Sequence, residues 1–143
     1  MEPFNILTIL NANQNEAAAQ QKPATDSRRA TRFVVKWRSA VILDITNQKI
    51  YHGWLKDISV SGTAVFSDKS IPHSSSAELH IEVPAVYDQK ERILALDARI
   101  VYGVYDTAAL QFRTGIEFVK FSSSNDQLFL GNHLKKHCQP RLG

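Results

Sequence analysis

The sequence predicts an all-β fold, a barrel or a sandwich, followed by one C-terminal helix. Three observations predict it. Apolar residues recur with a period of two through most of the chain from Phe33 to Phe118. Short polar stretches separate the runs, as turns separate strands. After Phe121 the pattern changes to the longer period of a helix.

The elements follow in order. Phe33, Val35, Trp37, Val41 and Leu43 alternate with Lys36, Arg38 and Ala40, a half-buried strand. Trp37 lies in the apolar phase and is expected in the core. Asp44–Lys49 reads as a polar turn and Ile50–Ile58 as the next strand. In that strand Trp54 shares the phase of His52 and Lys56, which points it outward. A turn at Asp57–Gly62 leads into Thr63–Phe66, and Ser67–Ser76 is a loop. Ala77, Leu79, Ile81 and Val83 alternate with Glu78, His80 and Glu82, and Pro84 ends that strand. Leu94, Leu96, Ala98, Ile100 and Tyr102 share one face of a fifth strand. Leu110, Phe112, Ile116 and Phe118 are expected to share one face of a sixth. Ser122–Asn125 is rich in helix-capping residues, and Gln127–His137 reads as the helix.

Residues 1–25 stand apart as a flexible N-terminal arm. Asn11–Thr25 is rich in Asn, Gln and Ala, with too few large apolar groups to repay the entropy of ordering. Ahead of it, Phe4–Leu10 forms a small apolar patch, a frayed end or a docking peptide. The folded unit is expected over residues 26–138, with 139–143 as a tail.

Composition narrows the function. The chain has 143 residues, 43% hydrophobic and 22% charged, as expected for one globular domain. The net charge is +3. It is concentrated: Lys22, Arg28, Arg29, Arg32, Lys36 and Arg38 are opposed only by Asp26 in that stretch, a field that attracts an anionic partner. The single cysteine, Cys138, excludes an internal disulfide and fits a reducing compartment. No apolar run is long enough to span a bilayer, and the N-terminal stretch lacks the basic start of a signal peptide. A cytoplasmic location is expected.

Two short motifs carry the chemistry. The first is Arg28-Arg29-Ala30-Thr31-Arg32, and the second is Asp57-Ile58-Ser59-Val60-Ser61-Gly62. Arginine presents a planar fork of donors that matches a phosphate or the O6/N7 edge of guanine, and it stacks on purines. Arg28 and Arg32 are spaced to clasp a compact ligand that offers both. Asp57 can accept from a guanine edge or orient an arginine, and Ser59 can donate to a phosphate. Gly62 permits a positive-φ turn or a close backbone approach. Lying two apart, Asp57 and Ser59 are expected to share one face of a strand. Taken singly, each motif also reads as an ordinary basic turn or an Asp/Ser/Gly hairpin.

Together, in this order and followed by Gly115-Ile116-Glu117-Phe118, the motifs resemble the RxxxR, D/NxSxxG and late GxxF elements of PilZ domains. The resemblance covers about residues 26–138. It implies a six-stranded antiparallel PilZ-type β-barrel with a C-terminal α-helix, acting as a bacterial receptor for cyclic di-GMP. The matching ligand residues are Arg28, Arg32, Asp57, Ser59 and Gly62, with Arg29 in support. Ser27, just before the first motif arginine, leaves open whether one ligand or a stacked pair binds. The resemblance further implies a protein effector partner, a change of conformation or contacts on ligand binding, and control of motility, exopolysaccharide or pilus function.

Other classes fit less well. No histidine lies near Ser59 or Ser61 in sequence, and Ser61-Gly62 is not a nucleophile elbow, so no enzyme is expected. Asp57 with Asp97 or Glu117 is a generic carboxylate pairing. His133 and His137, spaced i to i+4 beside Cys138, make an incomplete metal set, and no metal or cofactor is expected. The alternatives are a basic barrel that binds RNA or single-stranded DNA through Trp37 or Trp54, and a PilZ-like protein-interaction module without a ligand.

Overall fold

The computed structural model describes residues 30–44, 46 and 48–142. The N-terminal arm, with its Phe4–Leu10 patch, lies outside the described residues. Six long strands run in chain order: β1 Phe33–Leu43, β2 Lys49–Ile58, β3 Gly62–Ser67, β4 Ser74–Val83, β5 Arg92–Asp106 and β6 Gln111–Phe121. Helix α1 covers Ser124–His137, and a two-residue strand β7, Gln139–Pro140, follows it.

All pairings are antiparallel. Going round the sheet the order is β1, β2, β3, β6, β5, β4 and back to β1, a closed barrel. Closure removes the sheet edges that an open sheet would leave unpaired. The fold class expected from the sequence is the one observed, and the choice between barrel and sandwich is made by the β4–β1 pairing, Ser39 against Ile81 and Val41 against Leu79.

The alternation predicted for β1 is obeyed throughout. Phe33, Val35, Trp37, Val41 and Leu43 face inward, while Val34, Lys36 and Arg38 face solvent. Leu55, Ile58, Val65, Leu79, Ile81, Leu94 and Leu96 complete the interior with α1 residues Leu130 and Leu134. Burying a side chain of this size contributes about 1.5–3 kcal/mol, which makes this cluster the main stabilising term.

Several expectations change. Gln139–Pro140, expected in a tail, pairs with β1 as β7, and β4 opens at Ser74, inside the loop expected over Ser67–Ser76. The sixth strand begins at Gln111, not at Leu110, which sits in the β5–β6 turn with φ 57° and its side chain in solvent. Tyr102 leaves the inward face because the β5–β6 register shifts between Ile100 and Tyr102. Its ring then lies over Gly115, where a side chain would collide with it. Helix α1 starts three residues earlier than Gln127, because Ser123 caps it by accepting from the Asn125 N–H at 3.3 Å. Asp126 in its first turn and Lys135, Lys136 and His137 in its last complement the helix dipole.

Candidate functional site

The site is built around the end of β2. In the β2–β3 ladder Leu55 faces Val65, but Ile58 faces Thr63, so β2 carries one extra residue between them. This bulge lets Leu55 and Ile58 both point inward while the two residues between them, Lys56 and Asp57, both turn outward. Asp57 therefore meets the surface with its carboxylate only 15% exposed.

Both oxygens of that carboxylate are engaged. Arg32 Nη1 donates to Asp57 Oδ1 at 3.0 Å. Arg141 Nη1 donates to Asp57 Oδ2. The two motifs meet here. The second arginine of the first motif and the aspartate of the second form an ion pair across the β1–β2 seam. Arg28 and Arg29 lie outside the described residues. Arg141 belongs to no motif, and nothing in the local sequence points to it. It is brought in by β7, which pairs with the start of β1: Phe33 opposite Pro140, Val34 opposite Gln139. The ladder continues one step further, with the Arg141 N–H donating to the Arg32 carbonyl at 2.7 Å.

Ser59 does not share a face with Asp57. The strand ends at Ile58, and Ser59 folds beneath the turn with 0% exposure. Its Oγ accepts from the backbone N–H of Ser61 at 3.1 Å and of Gly62 at 3.2 Å. The Ser59 N–H closes the turn on the Gly62 carbonyl at 2.9 Å. Thr63 Oγ1 donates to the Asp57 carbonyl at 2.6 Å, fixing the backbone that carries the carboxylate. Ser59 is thus engaged in holding the turn that presents Asp57. Gly62 serves close approach to the protein's own backbone. A Cβ there would stand 2.7 Å from the Ile116 carbonyl oxygen on β6. The third motif, Gly115–Phe118, sits against the same turn, with the Phe118 N–H donating to the Ser61 carbonyl at 2.9 Å.

The carboxylate pairings do not form. Glu117 pairs with Arg99 across β5 and β6, and Asp57 is taken by the two arginines. His133 is buried in an aromatic setting, its ring 5.6 Å from Trp37 and 4.9 Å from His137, with Nδ1 3.1 Å from Gln89 Nε2. Burial, with a smaller contribution from His137, holds its pKa below the ordinary value, and burial pushes the Cys138 thiol up. Among the described residues no three His, Cys, Asp or Glu side chains come together to hold a metal. No helix among them is long and apolar enough to cross a membrane. Trp37 lies in the core, while Trp54 is 36% exposed between Arg38, 5.4 Å from its ring, and Lys36, 5.8 Å away.

Comparison with known proteins bears on the family and the fold. The PilZ domain model matches residues 26–135. The fold is similar to that of the Bacillus subtilis inhibitor of motility MotI/DgrA, with a TM-score of 0.60 and 16% identity over 82% of this chain and 54% of that one. It is similar to K. pneumonia MrkH in its apo state, with a TM-score of 0.53 and 18% identity over 81% of this chain and 51% of that one. The PilZ domain of CeSA from a cellulose-synthesizing bacterium aligns with a TM-score of 0.48 and 22% identity over 72% of this chain and 92% of that domain. The chain spans about half the length of the motility inhibitor and of MrkH. No curated protein matches it.

Proposed function

This chain belongs to the PilZ domain family, and on that premise we propose that it is a receptor for cyclic di-GMP that acts by changing its conformation or its contacts with a protein effector. The observation that carries the proposal is the Arg32–Asp57 pair at 3.0 Å. It joins the two motifs at one point on the barrel surface. The binding unit begins at residue 26 and runs past residue 138 to take in β7 and Arg141, with residues 1–25 as its arm. Arg28, Arg29 and Arg32 grip guanine edges and phosphates, while Asp57 holds Arg32 in position. The engagement of both carboxylate oxygens supports that role for Asp57 over direct contact with guanine. Ser59 and Gly62 support the site by shaping the turn. The role is regulatory, with no catalytic step. Its process belongs to the motility, exopolysaccharide or pilus group, and motility is the one to test first, given the likeness to an inhibitor of motility.

Isothermal calorimetry tests the reading. Cyclic di-GMP should bind saturably at micromolar concentration or tighter, worth ~8 kcal/mol or more, and GTP and GMP should not match it. A basic surface around the exposed Trp54 favours a second reading, binding of single-stranded nucleic acid. Oligonucleotide binding with a steep salt dependence and no heat from cyclic di-GMP would replace the first reading by the second.

A further inference from the structure

Arg141 is held in a position that general packing does not require. Its side chain is 52% exposed, and it bonds Asp57 and, through its backbone, Arg32. The register of β7 on β1 sets Arg141 directly opposite Arg32. Like charges directly opposite on neighbouring strands destabilise a sheet. Here one carboxylate, Asp57, is shared between the two guanidinium groups, one on each oxygen. Two positive charges thus meet one negative charge, and the cluster keeps a net charge of about +1 in partly shielded surroundings, where charges act more strongly than in bulk water. An arginine has five N–H donors, and a single carboxylate cannot engage those of two. The remaining donors and the uncompensated charge form a preorganised fork for an anion, and a phosphate matches it in geometry and charge.

Resting on the receptor reading above, we propose that Arg141 is a further arginine of the ligand site, delivered by the C-terminal strand, and that it contacts a phosphate of cyclic di-GMP alongside Arg32. Asp57 then orients two arginines from opposite ends of the folded unit. The ligand's negative charge offsets the repulsion between Arg32 and Arg141 that the single carboxylate leaves.

Calorimetry with the full chain and cyclic di-GMP tests this, using Arg141→Ala and Arg141→Gln. Both variants keep the backbone N–H that bonds the Arg32 carbonyl, so β7 pairing is retained. Removing a charged hydrogen-bond partner should weaken binding roughly tenfold or more. The gap between wild type and variant should narrow as salt is raised, because the lost contact is electrostatic. Wild-type affinity in both variants, or tighter binding because Arg141 had been blocking Asp57, overturns the inference and leaves the receptor reading standing. A loss that does not change with salt assigns Arg141 a packing role and also overturns it. No heat from cyclic di-GMP with the wild-type protein overturns the receptor reading and this inference with it.

Discussion

Arg32 Nη1 donates to Asp57 Oδ1 at 3.0 Å, tying the residue that precedes β1 to the bulge near the end of β2. The bond spans the seam where the two motifs meet, and it makes the mobility of the arginine and the charge of the aspartate one problem. Removing either partner should therefore affect the same property.

Arg32→Ala and Asp57→Ala should each weaken cyclic di-GMP binding tenfold or more, since a charged hydrogen-bond partner is worth about 1.5–3 kcal/mol. Asp57→Ala also leaves Arg32 and Arg141 facing each other without a counter-charge. Stability should change little in Arg32→Ala, whose side chain is 38% exposed, because exposed ion pairs contribute about 0–1 kcal/mol, whereas Asp57→Ala should cost more through the two uncompensated arginines. Calorimetry and thermal melting measure the two effects separately. Wild-type affinity in both variants would remove Asp57 and Arg32 from the site.

Ser59→Ala should behave in the opposite way. Its hydroxyl accepts from two backbone N–H groups inside the turn, and alanine leaves them without that acceptor. A loss of about 1–3 kcal/mol of stability is expected. Urea denaturation should show Ser59→Ala less stable than Arg32→Ala. The reverse order would mean that the turn does not depend on Ser59.

Gly62→Ala should destabilise the barrel by about 1–3 kcal/mol, because the added methyl meets the Ile116 carbonyl and the strands must part. Gly103→Ala is the internal comparison. A Cβ there meets nothing within 4 Å, so its melting temperature should stay near that of wild type. Equal effects at the two positions would refute the close-approach account of Gly62.

His133 should make stability fall in mild acid. Its pKa in the folded protein lies below the ordinary 6.5 through burial and, to a smaller degree, His137. As pH drops below the unfolded value, the unfolded chain takes up a proton that the folded chain resists. Stability is then lost between the unfolded and the folded pKa. Above the unfolded value both states are neutral at this site, and it adds no slope. Melting curves at about pH 7.5 and about pH 5.5 should show a drop that His133→Gln reduces. An unchanged drop in the variant would assign it to other groups.

Much of the fold was legible because its signals are local. Each strand shows its inward face through alternation, as Phe33, Val35, Trp37, Val41 and Leu43 do, and each residue of such a run is set by its immediate neighbours. The helix was legible through its change of period and its serine cap. Leu110 and Tyr102 were misread for the same reason: a turn with positive φ and a register shift both break the alternation at points that hydrophobicity alone does not mark.

The site divides along the same line. The sequence by itself determined the two motifs, their order, and the chemistry of Arg32 and Asp57. It could not decide what Ser59 faces, because the strand ends one residue before it and the hydroxyl turns inward to satisfy the backbone. Nor could it supply Arg141, 84 positions from Asp57. That residue reaches the site only because the barrel closes, α1 packs Leu130 and Leu134 into its core, and β7 then pairs with β1. Periodicity is written in neighbouring residues, whereas a contact between distant strands depends on the register of every ladder between them.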